Sequence, residues 1–191
     1  MARTRVHQPR FVHAVFGDTE MCAAARGERN EFRGRFDAAF QALRLMWVTD
    51  AFLAQVLYRA QARFDALGVP LFPRVTQGLA IMTGQVCVGP AVVMQPGVCI
   101  PHGQVVIDGN VEIERDVVIL PWVTIGPGDG DRRGPVIERG VRIGTGAKVL
   151  GRITVHRDAK IGANAVVLED VPAGATVAGV PARVIRQAAP G

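Results

Sequence analysis

Histidine titrates nearer to cellular pH than any other unperturbed side chain, so the four histidines of this 191-residue chain are the natural place to look for acid–base chemistry. His7 and His13 lie in an N-terminal stretch without periodicity, whereas His102 and His156 lie inside a repeat. His102 is framed by Ile100-Pro101 and Gly103-Gln104, residues of a turn. An imidazole there can remove a proton from a weak nucleophile or can simply be a solvated corner residue, and the residues leave both readings open. Two histidines within the repeat fall short of the three-histidine set that a hydratase-type zinc site requires, and no metal is expected. Cys22, Cys87 and Cys99 include no CxxC pair and leave one thiol over in any pairing, which points to reduced thiols. A second stretch with chemical potential is Gly-Pro-Gly-Asp-Gly-Asp-Arg-Arg-Gly-Pro-Val at 126–136, too glycine-rich and charged for a packed interior. Excursions of this kind tend to carry function because a rigid scaffold positions them.

The scaffold is legible as a period of six. Val88-Gly-Pro-Ala-Val-Val, Met94-Gln-Pro-Gly-Val-Cys and Ile100-Pro-His-Gly-Gln-Val run in sequence. After a slip of one residue, Ile107, Ile113 and Ile119 head the next hexads. Beyond the excursion the register resumes at Ile137, Ile143, Val149, Val155, Ile161, Val167 and Ala173. The first residue of each hexad is almost always aliphatic, and the fifth is Val, Ile or Ala; Gln104, beside His102, is the one polar exception. Such a chain winds around a narrow prism, stacking its aliphatic residues coil on coil and using Gly, Asn and Asp at the corners. The fold expected over 85–185 is a left-handed parallel β-helix, mainly β, with the loop 126–136 standing out from it. Most of the chain's 22 glycines and 12 prolines fall in this stretch and exclude helix there, and 6% aromatics suits a narrow interior.

Upstream, 29–84 reads as an α-helical segment. Phe36, Phe40, Leu43, Met46 and Trp47, then Phe52, Val56 and Ala60, recur at spacings of three and four. Asp50 is placed as an N-cap between two helices, Gly68 closes the second, and a short third helix is expected from Val75 to Met82. Residues 1–28 read as a loosely ordered arm and 186–191 as a C-terminal tail. The formal charge of +5 is spread along the chain, and one Tyr and two Trp make no stacking platform, so an anionic small ligand fits better than nucleic acid. No apolar run approaches the length of a membrane span and the first residues lack an apolar leader core, so a cytoplasmic protein is expected.

The closing run Ile143-Gly-Thr-Gly-Ala-Lys-Val-Leu-Gly, Ile161-Gly-Ala-Asn-Ala-Val-Val-Leu and Ala178-Gly-Val-Pro-Ala-Arg-Val-Ile resembles the serine acetyltransferase-like branch of the hexapeptide-repeat acyltransferases. So does the lead-in Leu57-Tyr-Arg-Ala with Gly68-Val-Pro-Leu-Phe-Pro-Arg, and the resemblance covers about 51–185. It implies three hexads per coil, a homotrimer with sites between neighbouring subunits, and acetyl-CoA as acyl donor. His102 matches the catalytic histidine, which would remove the proton of a hydroxyl acceptor as it attacks the thioester. Thr145, Ala163 and Leu168 fall where the family approaches coenzyme A, and Arg183, with Arg186, where it meets the nucleotide end. Arg132 or Arg133 would hold an acceptor carboxylate. The function this implies is O-acyl, most simply O-acetyl, transfer to a small hydroxylated metabolite. The alternatives are a sugar, antibiotic or amine acceptor, or a non-catalytic trimeric scaffold.

The chain departs from the resemblance on the acceptor side. Pro101 stands where serine-specific members have an aspartate before the histidine, and Arg133 or Gly134 where they have a second histidine. Cys87 replaces the aspartate that orients the catalytic ring. Gln104, Asp108 or a backbone carbonyl are the substitutes that sequence offers for that last role.

Overall fold

The computed structural model describes residues 8–187; His7 and most of the expected tail lie outside them. Four helices come first: α1 (Phe11–Ala25), α2 (Arg35–Val48), α3 (Phe52–Ala66) and α4 (Phe72–Gly84). A parallel solenoid of about five coils follows. The first coil is β1 (Val86–Val88), β2 (Val93–Met94) and β3 (Val98–Cys99); the second is β4 (Val105–Ile107), β5 (Asn110–Ile113) and β6 (Val117–Ile119). The third is β7 (Thr124–Gly126), β8 (Arg133–Ile137) and β9 (Arg142–Ile143); the fourth is β10 (Lys148–Leu150), β11 (Thr154–Val155) and β12 (Lys160–Ile161). β13 (Val166–Val167), a bridge at Val171 and β14 (Thr176–Ala178) make the last, and β15 (Arg183–Arg186) folds back antiparallel on β14. Three sheets result: β1-β4-β7-β10-β13 (sheet A), β2-β5-β8-β11 (sheet B) and β3-β6-β9-β12-β14-β15 (sheet C). This is the left-handed parallel β-helix that the hexads predict.

The register explains why the hexads are aliphatic. Ile119 pairs with Ile143 and Ile143 with Ile161, so these residues heading the hexads stack in a column that is 3% exposed or less; the last coil departs from the six-residue register, since Ile161 pairs with Val177 while Ala173, the expected head, is exposed. Each isoleucine buried in this way contributes roughly 1.5–3 kcal/mol. No slack exists for a smaller side chain: Ile119→Val is expected to lower the unfolding free energy by about 0.5–1.5 kcal/mol, measurable by urea denaturation.

The expectation of a loose N-terminal arm is corrected by α1, which is ordered by burial of one face made of Ala14, Val15, Asp18, Thr19, Cys22 and Ala23. These residues are small or polar, which hides their helical spacing from a hydrophobicity reading. The third helix starts at Phe72 rather than Val75, because Pro73 falls in its first turn, where a missing N–H costs nothing. In α2 the small side wins: Ala38, Ala42 and Leu45 are buried, while Phe36 and Trp47 are 95% and 91% exposed.

The helices close the first coil, whose edge has no coil beneath it to satisfy its backbone. Arg59 of α3 pairs with Asp18 of α1 (Nε–Oδ2 2.9 Å, Nη2–Oδ1 3.0 Å), both side chains 2% exposed, and donates to the carbonyls of Met94 and Gln95. Asp18 accepts from the N–H groups of Gly97 and Val98. Gln55 donates to the Val98 carbonyl and accepts from the N–H of Ile100; the Tyr58 hydroxyl donates to the Val92 carbonyl. Polar side chains thus replace the hydrogen bonds that a further coil would have made.

Candidate active site

The corners between sheets C and A form a column, and a left-handed residue marks nearly every level: Gln85, Gln104, Trp122, Gly146 and Asn164, with φ between 51° and 76°. His102 stands on this column. Val105 follows the corner in register with Val86, and Val106 with Thr124. Four residues, 101–104, therefore span a turn that takes three, 120–122, one coil higher. The extra residue is the physical origin of the one-residue slip in the hexads. It also explains polar Gln104, which occupies the left-handed corner rather than a flat face.

Two glycines seat this corner. A methyl group on Gly103 would lie 1.9 Å from the Gly84 carbonyl oxygen. One on Gly84 would lie 2.7 Å from Cβ of Ala54 and 2.9 Å from the Asp50 carbonyl oxygen. The backbone at His102 therefore rests on the end of α4, which rests on the start of α3. Gly103→Ala is expected to force this stack apart, costing about 1–3 kcal/mol of stability, to be read in thermal melts.

The stack brings His102 to Asp50. Nδ1 of His102 lies 3.0 Å from Oδ1 of Asp50, with the two side chains 60% and 62% exposed. Asp50 is not the N-cap expected from sequence: Ala51 occupies that place, without a side-chain cap. Of the partners sequence offered for the ring, Gln104, Asp108 or a backbone carbonyl, none takes Nδ1. Cys87 is half-buried on β1, and burial together with the Asp108 carboxylate pushes its thiol up from the ordinary range.

Thr145 and Ala163 share the column with His102, on corners built from Gly144-Thr145-Gly146 and Gly162-Ala163-Asn164 in the third to fifth coils. Between them and His102, one coil above the histidine, Trp122 is 57% exposed, a residue the sequence reading did not single out. Leu168 lies elsewhere, on the corner between sheets A and B, where it is exposed. Its neighbour Glu169 lies 3.6 Å from Arg183, which together with Arg186 is exposed on β15. The excursion 126–136 leaves sheet A at the same corner: a methyl on Gly109 would press on Pro127 and on the Arg132 carbonyl. Residues 133–136 belong to β8, so only the first part of the excursion is loop. Asp131 holds Arg133 through Nε at 3.1–3.2 Å, whereas Arg132 is exposed and makes no ion pair among the described residues. One chain therefore gathers His102, Thr145 and Ala163 on one margin of sheet A and Leu168, Arg132 and Arg133 on the opposite margin.

His156 is engaged in structure: its Nδ1 lies 3.1 Å from Glu138, whose other oxygen accepts from the Arg157 N–H. Among the described residues no three His, Cys, Asp or Glu side chains gather as a metal site would need, and no helix is long and apolar enough to cross a membrane.

Within this parallel β-helix, residues 134–169 match the family model of bacterial transferase hexapeptides (six repeats). The chain is 38% identical over 176 residues to a serine acetyltransferase of Escherichia coli strain K12, covering 90% of this chain and 64% of that protein. It is 38% identical over 180 residues to a serine acetyltransferase of Mycobacterium tuberculosis strain H37Rv, covering 89% and 76%. A solved serine acetyltransferase in complex with CoA superimposes with a TM-score of 0.77 at 32% identity, over 93% of this chain and 70% of that one. The chain belongs to the serine acetyltransferase family.

Proposed function

We propose that the chain is a coenzyme A-dependent O-acetyltransferase in which His102 acts as general base for a hydroxyl acceptor. The observation that carries this reading is the shared corner column. It sets a proton-accepting imidazole in line with Thr145 and Ala163, whose small side chains leave room for a pantetheine arm against the backbone. A hydroxyl is a weak nucleophile near neutral pH, and removal of its proton during attack on the thioester carbonyl is what an imidazole at that point supplies. Exposed Leu168, with Arg183 reaching its neighbour Glu169 and Arg186 further along β15, suits the partly apolar, partly anionic body of coenzyme A.

The acceptor side draws on Arg132. Since Asp131 engages Arg133, Arg132 is the guanidinium free to grip a carboxylate in a bidentate fork. The two margins of sheet A meet only if copies pack side by side, so the working site lies between neighbours of a homotrimer. The relatives are named serine acetyltransferases, which supports serine as the first acceptor to test. Pro101 offers no charge to an ammonium group, so hydroxyl compounds besides serine belong in the same test. A thioester-consumption screen over hydroxylated amino acids, sugars and amines tests the proposal. Hydroxyl-dependent release of free coenzyme A supports it, and consumption that no hydroxyl compound stimulates overturns it.

A further inference from the structure

We infer that Asp50 is the positioning residue for the His102 imidazole, a role moved from the coil to the junction of α2 and α3. This rests on the proposed role of His102 as base. The requirement is chemical: a neutral imidazole accepts a proton at Nε2 only when its own proton sits on Nδ1, and a carboxylate facing Nδ1 selects that tautomer and holds the ring's plane. Cys87 stands at the coil position that the family resemblance assigns to an orienting aspartate. It is a poor hydrogen-bond acceptor, and with its pKa raised it stays a neutral thiol. Asp50 meets the requirement with Oδ1 at 3.0 Å from Nδ1.

Two further observations separate this contact from chance proximity on a surface. First, its distance is fixed by backbone: Gly103 abuts the Gly84 carbonyl, and Gly84 abuts the Asp50 carbonyl and Ala51. Neither glycine position has room for a methyl group, so the separation of Asp50 from His102 is held by three main-chain segments rather than by flexible side chains. Second, the pair does little for folding. Both side chains are about 60% exposed, and exposed ion pairs contribute little to stability. Asp50 is not used as a helix cap, the structural role nearest to hand.

The test compares Asp50→Asn, Asp50→Glu and His102→Ala in the full chain. Imidazole ¹⁵N shifts of His102, followed to alkaline pH until they no longer change, report the tautomer without any acceptor present. The wild type is expected to be mainly Nδ1–H, and Asp50→Asn to lose that bias. In turnover with the best acceptor of the screen, Asp50→Asn is expected to lower kcat at least about tenfold, with the KM for acetyl-CoA and the Kd for coenzyme A within about twofold of wild type. Asp50→Glu should recover part of the loss. An unchanged tautomer and unchanged kcat in Asp50→Asn, alongside an inactive His102→Ala, would overturn the role of Asp50 and leave His102 as base. Full activity in His102→Ala would overturn both.

Discussion

Replacing His102 by alanine is expected to reduce acyl transfer from acetyl-CoA by about 10²- to 10⁴-fold while leaving the fold and coenzyme A binding intact. The separation of the two effects follows from where the residue sits. His102 is an exposed corner residue, so its ring contributes almost nothing to the aliphatic columns inside the prism. The proposed coenzyme A contacts, Thr145 and Ala163 above it, Leu168 across sheet A and Arg183 on β15, do not depend on it. Stopped-time assays of free thiol release, paired with calorimetric titration of coenzyme A, measure the two quantities independently. A variant that binds coenzyme A and still turns over at the wild-type rate would remove the general base from the proposal.

The largest structural effect is expected at Arg59. Arg59→Ala should destabilise the fold by about 3–5 kcal/mol, because it leaves the Asp18 carboxylate buried without a counter-charge. The carbonyls of Met94 and Gln95 lose their donor in the same step. Removing both charges, as in Asp18→Asn with Arg59→Met, should cost less than Arg59→Ala alone. Asparagine can still accept from the Gly97 and Val98 N–H groups, and no isolated charge remains. Equilibrium urea unfolding of the two variants decides the order. If the double variant is the less stable, the charge pair is worth more than its desolvation costs.

The coil was legible in sequence because its stabilisation is periodic. An aliphatic residue must recur wherever the chain passes the prism axis, and the same register that sets β6 on β9 and β9 on β12 writes itself into the hexads. Even the slip after Ile100 had a structural cause, the extra residue in the His102 corner. The family resemblance located His102 and the Thr145 and Ala163 corners, which the column brings together. It did not reveal that Leu168 and Arg132 lie across sheet A from them.

What escaped the sequence was non-periodic. α1 buries Asp18, Thr19 and Cys22, residues whose burial makes sense only beside Arg59 and the first coil, and no hydrophobicity pattern announces such a face. Asp50 is separated from His102 by 52 residues, and its local context, a polar residue between two helical runs, fits a cap. Its partner became visible only when α4 was seen to carry the chain back beneath the corner. The bulky residues of α2 misled in the opposite sense. Phe36, Phe40, Leu43 and Trp47 have the spacing of a core face but lie exposed.

The closure of the first coil has a consequence for growth. A parallel solenoid with bare ends is a template, since each end offers a ready row of N–H and C=O groups to the next copy, and end-to-end addition of that kind runs without limit into filaments. Here one end is occupied by Asp18, Gln55, Tyr58 and Arg59, and at the other end β15 turns back antiparallel against β14. Axial polymerisation is blocked at both terminal coils.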